Sequence, residues 1–504
     1  MNKRITVTVN CKPMLAVCGT VLSEIINGEK PCGGHGKCGK CKVIAVGALS
    51  PLSDAERAHL SEDEISRGVR LACVTTVLGD CRVQTEFGKK DAKKQIVTDG
   101  DLPSFDLNPA FSKYGVAVDI GTTTLAARLY DQRGDVLSEA SRLNPQSNWG
   151  ADVISRIEAD LRGEGEALAS AIRQAMNELF LTLAEDAGIS AVEIDGAVIT
   201  GNTVMLYLLT ATSTEPLSHA PFAMNRSFGE TLTAKALELN SLTADTPIYL
   251  PPCISAFVGA DITCAILSSQ LTKSDAPMLL VDIGTNGEIA LWQNGNLSVC
   301  STAAGPAFEG VGIAMGMNAV AGAIDRVSLD GDALVTHTIG DVTPKGICGS
   351  GLIDAVACLL ENEILDPSGY LEDDPVEIQA PVSLTQKDIR MVQLAKSAIC
   401  AGIVTLMKVA DVPVGRLSAL LVAGGFGRYL NMENAGKIGL LPPALIPVTK
   451  TIGNAALSGA ILMLLDQTSR ATAVKLAERA VTVDLATNPV FMDEYTNGML
   501  FDCI

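Results

Sequence analysis

Ile5, Val7 and Val9 alternate with polar residues, the period-two pattern of a strand with one buried face. After a short turn the apolar positions of residues 20–27 take a helical spacing, with Thr20 as N-cap and Gly28 as stop. A strand is predicted over 42–46. Residues 88–112 are polar and without period, and read as a linker. Beyond them the pattern repeats itself: residues 115–124 and 278–287 each predict a strand, an Asp-Ile-Gly-Thr turn and a second strand, with Gly turns at 132–135 and 293–296 leading into a third. The two Asp positions, Asp119 and Asp282, are 163 residues apart, the spacing of two copies of one domain. Further apolar strands end in glycine-containing turns at 199–203 and 421–427, and residues 348–354 and 453–459 look like helix N-termini.

A chain of 504 residues implies about three domains. With 47% apolar and 19% charged residues it has ample material for cores, which excludes disorder as its main state. Its net charge of −19 argues against nonspecific nucleic-acid binding. That charge is uneven: residues 1–90 hold 13 basic and 9 acidic side chains, a mildly basic head on a strongly acidic body. The start has no apolar h-region and no run of 18 apolar residues occurs, so the expectation is a soluble, cytoplasmic protein without a membrane segment. Fourteen cysteines in a reducing compartment point to metal binding where they cluster and to packing where they scatter.

They cluster in the head. Cys32-x5-Cys38-x2-Cys41 lies in a loop with four glycines, and Cys73 follows after 31 intervening residues. Three close cysteines and a distant fourth follow the logic of a plant-type two-iron two-sulfur site, with one residue more in the first spacing. Zinc is the rival, but there is no second C-x2-C. Cys81 is the rival fourth ligand. Lys30, Lys37, Lys40 and Lys42 surround the cysteines, as ordinary solvated charges or as a docking surface for an acidic partner. Gly34-x4-Gly39-Lys40-Cys41 nearly spells a P-loop, but Cys stands where Ser or Thr is needed and a strand, not a helix, is predicted to follow.

In the body, a tight Gly-Thr hairpin can present backbone N–H groups and hydroxyls to phosphate oxygens. An Asp at the end of each first strand can hold Mg²⁺, which takes one or two carboxylates and keeps waters. Two such hairpins facing one another could clamp a triphosphate.

These residues resemble the acetate and sugar kinase, Hsp70 and actin superfamily, with phosphate motifs at 119–124 and 282–287, an adenosine motif at 423–427 and connecting helices starting near Asn202 and Gly351. Joined to the cysteine-rich head, and with further support from residues 304–310 and 453–456, the chain resembles the reductive activators of corrinoid proteins. The resemblance implies an α/β multidomain fold. A β-grasp, ferredoxin-like head over 1–87 and a linker over 88–112 would precede a duplicated, RNase H-like ATPase of subdomains 113–270 and 271–504, whose last helices return to the first. It implies cluster ligation by Cys32, Cys38, Cys41 and Cys73, and magnesium and water positioned by Asp119 and Asp282. Nucleotide contacts would come from Gly121, Thr122, Thr123, Thr124, Asn202, Gly284, Thr285, Asn286, Gly349, Ser350, Gly351, Gly424, Gly425 and Gly427. Glu288 and Glu309 are the alternatives for the catalytic base. The implied activity is ATP-dependent transfer of one electron from a two-iron two-sulfur cluster to the Co(II) corrinoid of a methyltransferase-system protein, restoring Co(I). Its partners would be that protein, a low-potential donor and, as a further candidate, a second copy of the chain. A donor to 2-hydroxyacyl-CoA dehydratases, a small-molecule kinase and a redox-sensing nucleotide switch are the alternatives.

Overall fold

The computed structural model describes residues 4–10, 12–26, 34–37, 39–85, 100–425 and 429–501. The chain divides into two compact units, Met1–Ala92 with Pro145–Glu164, and Lys93–Asn144 with Gly165–Ile504.

In the first unit β1 (Arg4–Val9) buries Ile5 and Val7, as its alternation predicts. Its antiparallel neighbour β2 (Lys12–Val17) was not anticipated: it is an edge strand that leaves Met14, Leu15 and Val17 exposed, so it carries no in-out alternation to read. The short helix α1 (Leu22–Ile25) is capped by Val21 rather than Thr20 and has no side-chain cap bond. β3 (Lys42–Leu49) starts directly after Cys41, so a strand does follow the P-loop-like sequence. Capping boxes at Ser53/Glu56 and Ser61/Glu64 start α2 (Asp54–His59) and α3 (Glu62–Ser66). With β4 (Val69–Leu71) and β5 (Val77–Gln84) the sheet has the order β2-β1-β5-β3-β4, in which only β1 and β5 run parallel. This unit also contains α4 (Val153–Ala159), capped by Asp152.

The second unit is built on two sheets of the same plan. The first meander is β6 (Tyr114–Ile120), β7 (Thr124–Asp131) and β8 (Val136–Leu143), followed by α5 (Gly165–Asp186), β9 (Ile194–Gly201), α6 (Thr203–Leu209), β10 (Glu230–Thr233), β11 (Pro247–Leu250) and α7 (Ala260–Ser268). Its sheet order is β10-β11-β9-β6-β7-β8, with β9 parallel to β6. The second meander is β12 (Met278–Ile283), β13 (Gly287–Gln293) and β14 (Asn296–Thr302). A smaller layer follows: β15 (Ala323–Asp330), β16 (Ala333–Thr338), β17 (Gly346–Ile347), α8 (Gly349–Glu361), β18 (Val376–Gln379) and β19 (Val382–Leu384). After α9 (Gln386–Val409), β20 (Ala419–Ala423), α10 (Met432–Lys437) and β21 (Thr449–Gly453), the chain ends in α11 (Ala455–Leu465), α12 (Ser469–Arg479), β22 (Val481–Thr482) and α13 (Pro489–Asn497). The second sheet runs β21-β20-β12-β13-β14-β22, with β20 parallel to β12 as β9 is to β6. The duplication therefore extends beyond the turns to the parallel neighbour of each first strand.

Between the sheets, α11 packs on α7 and on β6 and β9, so a helix from the C-terminal part of the chain does return to the first sheet. The two helices meet at Gly459, where a Cβ would stand 2.2 Å from the Cys264 carbonyl oxygen. By length and mean hydropathy α9 could cross a membrane, but most of it is buried in this unit's core.

From Gly100 on, the expected linker is tied to the second unit. Gly100 forms a bridge with Gly453, Asn108 and Ala110 donate backbone bonds to Leu465 and Leu464, and Phe111 is buried over Gly115 and Gly196. Residues 100–112 thus belong to the second unit. A period was not visible because backbone bonds and two aromatic rings, Phe105 and Phe111, hold them, not a buried stripe.

Candidate functional site

In the head, Cys41 ends the approach to β3 and Cys73 follows β4; β3 and β4 are antiparallel partners, so the two cysteines converge. Their sulfurs stand 3.1 Å apart, both buried, and the Cys73 backbone N–H donates to Cys41 Sγ at 3.4 Å. Cys32 and Cys38 lie outside the described residues. Cys81 sits within β5 opposite Gly47, its thiol pushed up by burial and by Asp80.

The turn that carries Cys73 is held by a residue the sequence reading passed over. Glu56 is fully buried and accepts from Arg70 Nε at 2.7 Å and Nη2 at 3.2 Å, from the Leu71 N–H at 3.2 Å and from Thr75 Oγ1 at 2.9 Å. Burial alone would raise its carboxyl, but Arg70, the Ser53 N–H, Thr75 and the Ser53 hydroxyl outweigh that and hold it at about 2. Its visible signal was only that of a capping-box glutamate.

In the second unit, the ends of β6 and β12 bring both Asp-Ile-Gly-Thr turns to one cleft of about 260 Å³. Of the residues anticipated there, Asp119, Gly121, Thr122, Thr123, Thr124, Asn202, Asp282, Gly284, Thr285, Asn286, Glu288, Glu309, Gly349, Ser350, Gly424 and Gly425 line it. Gly351 does not: its missing Cβ lets α8 approach the Ile324 carbonyl, where a side chain would stand 2.3 Å away. Gly427 lies outside the described residues. Each turn closes on itself, with the Gly121 N–H donating to Thr124 O at 2.9 Å and the Gly284 N–H to Asn286 O at 3.0 Å. Helix N-caps supply further side chains. Asn202, which caps α6, donates to Thr122 Oγ1 at 3.1 Å; Asn454, which caps α11, donates to Asp119 Oδ2 at 3.0 Å.

Glu309 joins the two halves. The Thr123 hydroxyl donates to one of its oxygens, and Thr285 Oγ1 donates to the other at 2.5 Å. Gly424, at φ +96°, meets Asp282 so closely that a Cβ would lie 2.7 Å from Oδ1.

The cleft is strongly acidic. Asp119, Asp261, Asp282, Glu288 and Glu309 line it, and no Lys, Arg or His does among the described residues. Burial, eased by Asn454, pushes Asp119 up to about 6. Burial and the neighbouring Asp119 push Asp282 up to about 7. Asp261 and Glu288 are raised too, by burial first and then by the other carboxylates. Glu288 faces Asp282 directly across the β12–β13 pair. Asp261 was not anticipated. Its sequence signal was a single carboxylate in a largely apolar helix, two residues after Gly259, where a Cβ would clash with the Asn202 backbone at 2.5 Å. The loop 317–319 is likewise an addition to the anticipated lining, whereas Asn454 belongs to the helix start read at 453–459.

Residues 276–503 match the family described as the C-terminal domain of RACo, the ASKHA domain, and residues 114–274 match the RACo middle region. The corrinoid activation enzyme RamQ of Eubacterium limosum is 33% identical over 427 residues, which cover 77% of this chain and 70% of that protein. The chain belongs to the RACo family of corrinoid activators. A second relative, the [Co(II) methylated amine-specific corrinoid protein] reductase of Methanosarcina barkeri, is 25% identical over 396 residues, 73% of this chain and 72% of that one. The solved structure of a reductive activator for corrinoid, iron-sulfur protein aligns with a TM-score of 0.72 and 28% identity, covering 98% of both chains. The match described as the ASKHA domain contains the second meander and its turn, and the match to the middle region contains the first.

Proposed function

We propose that this chain is an ATP-dependent reductive activator that returns the inactive Co(II) corrinoid of a methyltransferase-system protein to Co(I), one electron at a time. The observation that carries the reading is a combination in one chain: two buried cysteine sulfurs 3.1 Å apart in a small sheet unit, and an acidic cleft between duplicated phosphate-type turns. Full-length similarity to a reductive activator supports it.

The head's strand order β2-β1-β5-β3-β4 is that of a β-grasp, in keeping with a ferredoxin-like domain. The approach of Cys41 to Cys73 favours Cys73 over Cys81 as the fourth ligand, with Cys32 and Cys38 completing the set. When bound there, a two-iron two-sulfur cluster supplies single electrons at roughly −400 mV. Making Co(I) calls for a more reducing donor, and every 59 mV or so is tenfold in a one-electron equilibrium. This is the step for which hydrolysis is needed; a low-potential donor reloads the head.

In the cleft, buried carboxylates held toward their protonated forms, with no cationic side chain beside them among the described residues, suit a bound cation. The fit is to magnesium, which takes one or two carboxylates and keeps several waters, and which Asp119 and Asp282 would hold. Thr122, Thr123, Thr285 and Asn286 bind phosphate oxygens, and Gly424 and Gly425 leave room for the adenosine. Glu309 is better placed than Glu288 to accept a proton from the attacking water. It is only partly buried and already accepts two hydroxyl bonds, whereas burial, Asp261 and Asp282 hold Glu288 toward its neutral form.

The test is anaerobic purification. The protein should carry about two irons per chain and hydrolyse ATP with magnesium, faster when a Co(II) corrinoid protein is added. Cys73→Ala should abolish the visible absorption and leave basal hydrolysis, while Cys81→Ala keeps both. A colourless zinc protein would contradict the head assignment.

A further inference from the structure

The segment that leads from the cysteine-rich unit into the second unit reaches the cleft's own scaffold. Residues 100–110 run along α11, held at its N-terminal end by Gly100 and at its C-terminal end by Asn108 and Ala110, which donate to Leu465 O and Leu464 O at 2.8 and 2.9 Å. The first anchor is the unusual one. Gly100 forms an antiparallel bridge with Gly453, and the Asp101 N–H donates to Ile452 O at 3.3 Å. The fit is so close that a Cβ on Gly100 would lie 2.6 Å from the Asn454 carbonyl oxygen and 2.3 Å from Ser458 Oγ. The turn it rests on, Gly453–Asn454, touches both halves of the cleft: Asn454 donates to Asp119, and the Gly453 carbonyl accepts from the N–H of Gly424, the glycine pressed against Asp282.

We propose that Gly100 and Asn454 form a coupling junction, through which nucleotide in the cleft and seating of the 100–110 strap on α11 favour one another. The coupling rests on the nucleotide reading of the cleft and works by shared ordering. A ligand held between Asp119 and Gly424 fixes both neighbours of the 453–454 turn, and a fixed turn is a better seat for Gly100. Linkage makes the effect reciprocal: whatever unseats Gly100 must weaken nucleotide binding by the same factor. Gly100 itself does not line the cleft, so its influence has to pass through the Gly453–Asn454 turn.

The experiment uses the full chain, with and without Mg²⁺ and a non-hydrolysable ATP analogue. Amide hydrogen exchange in residues 100–110, where the Asp101 N–H is the reporter, should slow at least about threefold on binding. Gly100→Ala should weaken analogue affinity by about fivefold or more, the lower end of ordinary coupling. If the wild type binds the analogue but exchange in the strap is unchanged and Gly100→Ala binds as tightly, the junction is wrong and the nucleotide reading stands. If the wild type does not bind the analogue, both fall. Should Gly100→Ala fail to fold, the exchange comparison on the wild type decides alone.

Discussion

Buried carboxylates take opposite states in the two units. Glu56 in the head is fully buried yet held at about 2, because a guanidinium, two backbone N–H groups and two hydroxyls saturate its oxygens. Asp119 and Asp282 in the cleft are pushed up to about 6 and about 7, with one amide on the first and another carboxylate opposite the second. The first is a finished structural network. The second has no cationic side chain among the described residues, which is what a site for a magnesium nucleotide needs before its ligand arrives. Burial is common to both; the partners decide which is scaffold and which is site.

The largest effect is expected from breaking the finished network. Glu56→Ala leaves Arg70 buried without its partner, a loss on the order of 3–5 kcal/mol. The head should lose its visible absorption and its thermal transition should fall, while ATP hydrolysis persists; an unchanged head would show that Glu56 does not hold the Cys73 turn. Next, Asp119→Ala or Asp282→Ala should lower ATP turnover at least about tenfold, roughly 1.4 kcal/mol of barrier, with the head's spectrum unaltered. Wild-type turnover in both variants would remove the cleft from the mechanism.

The two carboxylate states also predict opposite pH dependences. For Glu56, the folded value lies below the ordinary 4.5, so its stabilisation is present above about pH 4.5 and is lost as pH falls toward about 2. For Asp119 and Asp282 the folded values lie above the ordinary 3.8, so their stabilisation is present below about pH 4 and is lost as pH rises through about 6 and about 7. The scale is about 1.4 kcal/mol for each pH unit between the two values of a group. Calorimetry without ligand should therefore show the second unit's transition falling between about pH 4 and 7, and magnesium nucleotide should raise it more at pH 8 than at pH 5.5. A ligand-induced rise that is larger at pH 5.5 would contradict the missing-cation account. The smallest effect is at the surface: Lys42 and Glu64 pair at 2.7 Å but are 40% and 23% exposed, so Glu64→Lys, unlike Glu56→Ala, should cost no more than about 1–2 kcal/mol of head stability, including its capping bonds.

What the sequence revealed and what it hid follow from the same physics. The cleft was legible because duplication wrote it twice: Asp119 and Asp282 each end a strand and enter a Gly-Thr turn, and both meanders have the anticipated order. Asp261 was hidden because one carboxylate on an apolar helix carries no spacing of its own; only the convergence of α7 on both turns gives it meaning. Glu56 was hidden because its cap role is local, whereas its bonds to Arg70, Leu71 and Thr75 span 14 to 19 residues. Edge strand β2 and the strap over 100–110 escaped for a related reason: backbone pairing holds them, and backbone pairing leaves little trace in side-chain pattern.

In the proposed function, ATP hydrolysis in the acidic cleft enables the head to reduce a corrinoid it cannot reduce alone. The most direct measurement mixes the full chain, a low-potential reductant and a Co(II) corrinoid protein anaerobically and follows cobalt absorbance with and without Mg-ATP. Co(I) should accumulate only with Mg-ATP, and neither Cys73→Ala nor Asp282→Ala should support it. Equal accumulation without ATP, or with Cys73→Ala in place of the wild type, would contradict the account.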